Sequence, residues 1–116
     1  EDNLSYMKDF RPLSAEEQQV ISRARSALAK IDSIRCTACH YCTEGCPRQI
    51  PIPEIFAARN IDLIYHQKEK ARQNYHWAVS DTAKASECLA CGQCEQVCPQ
   101  RLPIIRLLAE TAEAIG

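Results

Sequence analysis

Cys36-Thr37-Ala38-Cys39-His40-Tyr41-Cys42-Thr43-Glu44-Gly45-Cys46-Pro47 and, 52 residues later, Cys88-Leu89-Ala90-Cys91-Gly92-Gln93-Cys94-Glu95-Gln96-Val97-Cys98-Pro99 hold all eight cysteines of the chain. Both stretches read C-x2-C-x2-C-x3-C-P, the spacing of a bacterial iron–sulfur run. A [4Fe-4S] cube has four iron corners, each wanting one thiolate. Three cysteines two residues apart lie on one tight loop and cap three corners of the same cube. The small residues between them (Thr37, Ala38, Ala90, Gly92) let backbone N–H groups approach sulfur and offset its negative charge. The fourth cysteine, held by the proline that follows, points away from its own loop; in two-cluster proteins it ligates the other cluster. Two [4Fe-4S] clusters are therefore expected. Cluster I takes Cys36, Cys39, Cys42 and Cys98, and cluster II takes Cys88, Cys91, Cys94 and Cys46.

Other uses of eight cysteines fit the pattern less well. Four disulfides need an oxidising compartment and separated partners, whereas thiols packed this closely make poor disulfide geometry. Zinc sites use pairs of C-x2-C and have no use for a third evenly spaced thiolate or a trailing proline. A single cluster beside a degenerate site would leave one quartet incomplete, and both are complete.

The repeat extends past the cysteines. Shifting by 52 residues aligns Cys36–Ile52 with Cys88–Ile104, and eight of the 17 positions are identical, including Ala38/Ala90, Pro47/Pro99, Pro51/Pro103 and Ile52/Ile104. Two copies of one unit related by a pseudo-two-fold place the clusters side by side. The rest of the composition fits one small stapled domain. The chain has 116 residues, 46% of them hydrophobic but only 6% aromatic, and a thin core of this size usually needs a covalent or metal staple. Its 14 basic and 15 acidic side chains leave a net charge of -1, which offers no footprint for a nucleic-acid backbone or an anionic membrane surface. No apolar run is long enough to span a bilayer, and no signal peptide is visible.

The flanking sequence reads as helical. Ser14-Ala15-Glu16-Glu17 forms a capping box opening a helix with Val20, Ala24, Leu28 and Ile31 on one stripe. Pro53 suits the first turn of a helix through Ile55, Phe56, Ile61, Leu63 and Ile64. A third helical stretch covers about 69–79. Pro103 opens the last helix, with Ile104, Leu107, Leu108, Ala112 and Ile115 inward. The 41 residues between Cys46 and Cys88 are too many for a structureless loop, so a helical hairpin is expected to return the chain to the cluster region. The expected fold is all-α, with two pseudo-symmetric cluster-binding loops.

Arg35 through Pro47 with Ile50-Pro51-Ile52-Pro53, and Ala85-Ser86-Glu87-Cys88 through Cys98-Pro99-Gln100 with Leu102-Pro103-Ile104, resemble the C-terminal iron–sulfur domain of ferredoxin-containing aldo/keto reductases, an alpha-helical ferredoxin-like domain. The opening Asn3-Leu4-Ser5 and Phe10-Arg11-Pro12-Leu13-Ser14 resembles the segment leaving that family's barrel. The cysteine motifs are shared with other alpha-helical ferredoxin domains, including those of fumarate reductase and heterodisulfide reductase subunits; the flanks narrow the choice. The resemblance implies residues 1–13 as a linker from an upstream domain and 14–116 as the di-cluster domain. It also implies that NAD(P)H is handled only by a (β/α)8 barrel. Such a barrel needs about 250 residues and lies outside these 116, and Glu1 in place of an initiator methionine suggests a piece of a longer protein. The barrel's catalytic residues have no positions in this chain, so only the eight cysteines carry over.

Electron transfer is the leading functional expectation, with the barrel domain and a one-electron redox protein as partners and no nucleic acid or membrane. By formal counting, two clusters would lower the net charge to about -5. A structural staple and a free-standing iron–sulfur subunit remain the alternatives. Thiolate-ligated clusters form where thiols stay reduced, which points to the cytoplasm. His40 reads as a solvent-facing loop residue that could instead donate to sulfur, and Tyr41 as packing or a cluster shield. His66 and His76 read as surface residues, and Trp77 with Tyr75 as helix-to-core packing. Arg59, Lys68, Lys70 and Arg72 make the insert mildly basic, which is most often a solvated face.

Overall fold

The computed structural model describes residues 2–116. The chain divides into two compact units, one ending at Ile31 and the other Asp32–Gly116. Among the described residues the ordered elements are all helical.

The first unit holds α1 (Asp2–Lys8) and α2 (Ala15–Ala29). The capping box forms as expected: the Ser14 hydroxyl accepts from the Glu17 N–H at 3.2 Å, and the Glu17 carboxylate accepts from the Ser14 N–H at 2.7 Å. This pair satisfies two of the N–H groups that a helix start leaves unbonded. The apolar stripe behaves differently. Val20, Leu28 and Ile31 are exposed, neither helix contains a buried residue, and α2 ends before Ile31. The periodicity predicts a face that can be buried, and this unit is too small to bury it.

In the second unit two minimal helices, α3 (Tyr41–Glu44) and α6 (Gln93–Gln96), lie inside the cysteine loops. Longer helices follow each loop: α4 (Ile52–Tyr65) after the first and α7 (Ile104–Ile115) after the second. Pro51 and Pro103 occupy the N-cap positions with matching backbones (φ -78, ψ 69 and φ -76, ψ 72). Pro53 falls in the first turn of α4, where a missing N–H costs nothing. The insert is the expected hairpin. α4 turns at His66 (φ 56) into α5 (Lys68–Ala78), which packs along it, and a short 3-10 turn (Ala85–Glu87) leads into the second loop.

The core gathers between α4, α5 and α7. Ile50, Ile52, Ile55, Phe56, Tyr75, Ile104, Leu108 and Ile115 are all at most 1% exposed. Burying each such side chain contributes roughly 1.5–3 kcal/mol. Leu107 and Ala112 are half-buried against this core. Thr111, absent from the expected inward set, is fully buried because its hydroxyl donates back to the Leu107 carbonyl at 2.6 Å. The aromatic pair in α5 separates. Tyr75 enters the core and Trp77 is 80% exposed, since two residues along a helix turn a side chain about 200° away. The packing role expected of Trp77 is thus not realised.

Candidate metal centre

The repeat visible in the side chains is also written in the backbone. Left-handed residues recur at the 52-residue shift: Ala38 and Ala90 (both φ 52), His40 (φ 63) and Gly92 (φ 79), Gln49 (φ 53) and Arg101 (φ 51). Most of these are not glycine, and each such residue stores about 1 kcal/mol or more of strain. The hydrogen bonds repeat as well. The Gln49 N–H reaches the Cys46 carbonyl at 2.9 Å and the Arg101 N–H reaches that of Cys98 at 3.0 Å. The Ile52 N–H reaches Ile50 at 2.8 Å and the Ile104 N–H reaches Leu102 at 2.9 Å. The left-handed bends turn N–H groups toward sulfur. The Ala38 N–H points at Cys36 Sγ (3.4 Å), and the Ala90 N–H at Cys88 Sγ (3.5 Å). Such amide nests stabilise anionic sulfur.

The eight thiols form no disulfide, and in each copy they are graded alike. Cys42 and Cys94 are buried, Cys36, Cys46, Cys88 and Cys98 half-buried, and Cys39 and Cys91 exposed. Burial is the main reason the Cys42 thiol titrates above its ordinary value, with the charges of Cys36 and Cys39 adding to it and the Thr43 hydroxyl opposing. Cys94 is pushed up to about 11, chiefly by burial and then by the charges of Cys88 and Glu95. Clustered thiols of this kind lose their protons on binding a cation that replaces them.

One pocket is lined by Cys46, Cys88, Cys91 and Cys94, floored by Ile50, Ile52 and Leu108. The fourth cysteine of the first motif therefore stands with the first three of the second. A larger cavity, about 490 Å³, is lined both by Ser33 to Arg35, ahead of Cys36, and by Gln100 and Leu102, beyond Cys98. Among the described residues, no three His, Cys, Asp or Glu side chains close around a single-ion position. In donor chemistry, donor number and the amides aimed at sulfur, the residues present fit cubes.

The cysteine motif does not disclose what fixes these loops. Asn60 on α4 clamps the backbone of Ile34: its side-chain oxygen accepts the Ile34 N–H at 2.7 Å and its amide donates to the Ile34 carbonyl at 2.9 Å. The Tyr75 hydroxyl accepts the Ala85 N–H at 3.1 Å and so holds the approach to the second loop. Glu87 accepts the Lys84 N–H at 2.9 Å and pairs with Arg48, a link from one copy to the other. These two contacts, Lys84 first, hold its carboxyl below the usual range. Glu95 accepts the Ile105 N–H at 2.9 Å. No spacing rule names these partners, and Asn60, between Arg59 and Asp62 on α4, does not stand out by composition. His40 caps α3 without a side-chain bond to it and lies 3.7 Å from Glu54, and Tyr41 is exposed rather than packed in the core. His66 and His76 are exposed as expected. In the insert, Arg59 pairs with Asp62, and Arg72 lies 3.5 Å from Glu69.

Residues 35–102 match the 4Fe-4S dicluster domain, a family defined by paired clusters of this kind. The chain belongs to the 4Fe-4S dicluster domain family. This dicluster domain is also similar to acetyl-CoA decarbonylase/synthase complex subunit alpha 1 of Methanosarcina acetivorans, 28% identical over 80 residues, covering 68% of this chain and 8% of that one. The same subunit of Methanosarcina barkeri is 26% identical over 86 residues, covering 69% and 8%. The chain thus spans about 8% of the length of these curated relatives. No solved structure matches it significantly. No helix among the described residues is long and apolar enough to cross a membrane.

Proposed function

We propose that the dicluster domain carries single electrons between two adjacent [4Fe-4S] clusters. Cys36, Cys39, Cys42 and Cys98 would hold one cluster, and Cys88, Cys91, Cys94 and Cys46 the other. The observation that carries this reading is the duplicated C-x2-C-x2-C-x3-C-P motif on a duplicated left-handed backbone. The pocket shared by Cys46 with Cys88, Cys91 and Cys94 supports the exchange of fourth ligands. Each cluster, when bound, accepts or gives one electron without a proton. The chain's part is to hold the thiolates rigidly, to point the Ala38 and Ala90 amides at sulfur, and to wall the pocket with Ile50, Ile52 and Leu108. Limited access of water and amide contacts both set the potential of such a centre.

The flanks at Asn3-Leu4-Ser5, Phe10–Ser14 and Ile50–Pro53 support a finer proposal. On this reading the domain is the C-terminal part of an aldo/keto reductase family oxidoreductase, with NAD(P)H bound by its barrel and a one-electron protein as the other partner, in the reducing cytoplasm. The curated relatives favour a second placement, as a segment within a long subunit of a multi-subunit enzyme complex, because there the matching stretch is 8% of the subunit. The length and content of the natural reading frame separate the two. The primary test is iron, acid-labile sulfide and zinc on anaerobically purified protein, followed by dithionite reduction and EPR. About eight iron and eight sulfide per chain are expected, with an EPR signal on reduction. Stoichiometric zinc without sulfide, or clusters that take up no electron, refutes the proposal.

A further inference from the structure

The two copies share a backbone but differ in charge beside their clusters. Thr43 and Glu95 occupy the same position, directly after the buried third cysteine of each motif. Both are half-buried. Thr43 Oγ1 is fully buried and makes no hydrogen bond of normal geometry, the Cys42 thiol being the group its hydroxyl influences. Glu95 turns its carboxylate onto the Ile105 N–H in the first turn of α7. That solution is closed to the first copy, because Pro53 stands where the second has Ile105 and has no N–H to offer.

The other charges of the two loops largely cancel. Residues 35–52 carry Arg35, Glu44 and Arg48, while residues 87–104 carry Glu87, Glu95 and Arg101. Arg48 and Glu87 pair with each other across the copies. What is left, with Arg101 counted beside its own loop, is a formal 0 around each site. Counted instead with the cluster that Cys98 serves, Arg101 gives +1 around the Cys36, Cys39, Cys42 site and -1 around the Cys88, Cys91, Cys94 site. Arg35, Glu44 and Arg101 are exposed and screened by water. The half-buried contrast between Thr43 and Glu95 is screened least and dominates.

Adding an electron makes a thiolate-bound cluster more negative. A carboxylate beside it opposes that charge, and a hydroxyl free to donate favours it. We infer that Thr43 and Glu95 make the two sites unequal, so that the first electron given to the domain rests on the cluster held by Cys36, Cys39 and Cys42. This rests on the electron-transfer reading. One equivalent of a one-electron reductant is oxidised, one of the two clusters gains that electron, and no proton or bond is exchanged.

The test is a potentiometric titration of the loaded, anaerobic protein with dithionite, followed by EPR, with iron and sulfide counted in every variant. The unmodified protein should show two one-electron waves. Glu95→Gln keeps an acceptor for the Ile105 N–H while removing the charge, and should raise the lower wave alone and narrow the gap. Thr43→Val, nearly the same volume without the hydroxyl, should lower the upper wave alone. Arg35→Gln, at an exposed position where folding is not at stake, should also lower the upper wave by a smaller amount. If Glu95→Gln leaves both waves in place at full cluster content, or moves only the upper one, the assignment is wrong while electron transfer stands. If the fully loaded unmodified protein shows no wave, the functional reading itself fails and this inference falls with it.

Discussion

Asn60 and Glu87 show how single polar side chains hold the loops that the cysteines alone cannot shape. Asn60 satisfies both backbone groups of buried Ile34, two residues before Cys36. Asn60→Ala leaves the Ile34 N–H without a partner while the Ile34 carbonyl keeps the Cys36 N–H, a loss of about 1–3 kcal/mol, and urea denaturation of the loaded protein should show a correspondingly lower midpoint. Glu87 makes a pH-dependent contribution. Its folded-state pKa is depressed by the Lys84 N–H and Arg48, so the folded protein binds that proton less tightly than the unfolded chain does. Its stabilising effect is therefore complete above the unfolded value of 4.5 and disappears as pH falls through the folded one. Cluster loss to a chelator should be faster in Glu87→Gln than in the unmodified protein near neutral pH, and the two rates should converge in acid. Equal rates at neutral pH would assign Glu87 no such role.

At the level of elements, the packing of α7 against α4 and α5 closes the second unit. Leu108 is 1% exposed and belongs both to this core and to the wall of the pocket holding Cys46, Cys88, Cys91 and Cys94. Leu108→Ala should cost about 2–5 kcal/mol, and the chelator should strip iron faster from the variant; an unchanged rate would mean that the wall does not protect the centre. Helix positions were legible in the sequence because prolines and capping residues act locally: Ser14, Pro53 and Pro103 each stand where a helix start needs them. Burial was legible only where a partner existed. Tyr75 and Trp77 share one helix and similar size, and no local signal tells which meets the core. The eight cysteines were legible by spacing. The residues that brace them, Asn60, Tyr75, Arg48 and Glu87, were not, because their partners lie between 10 and 39 residues away.

As a whole molecule, the dicluster domain has a narrow core and a large share of its order invested in two loops. Six of the seven left-handed residues among those described lie in these loops, and the strain they hold needs compensation by bound metal. Removing iron under anaerobic conditions should therefore lower the helix signal in circular dichroism and broaden thermal unfolding. A sharp, cooperative melt of the metal-free chain would show that the apolar core is sufficient by itself.

The matched backbones at Ala38 and Ala90, His40 and Gly92, and Gln49 and Arg101 separate wiring from bias. A chain with Glu95→Thr would keep the backbone of both loops yet, on the proposed reading, approach a symmetric conductor, with charge resting nearly equally at either end and little built-in downhill direction. On that reading the repeated backbone supplies the wire and a few differing side chains give it a polarity.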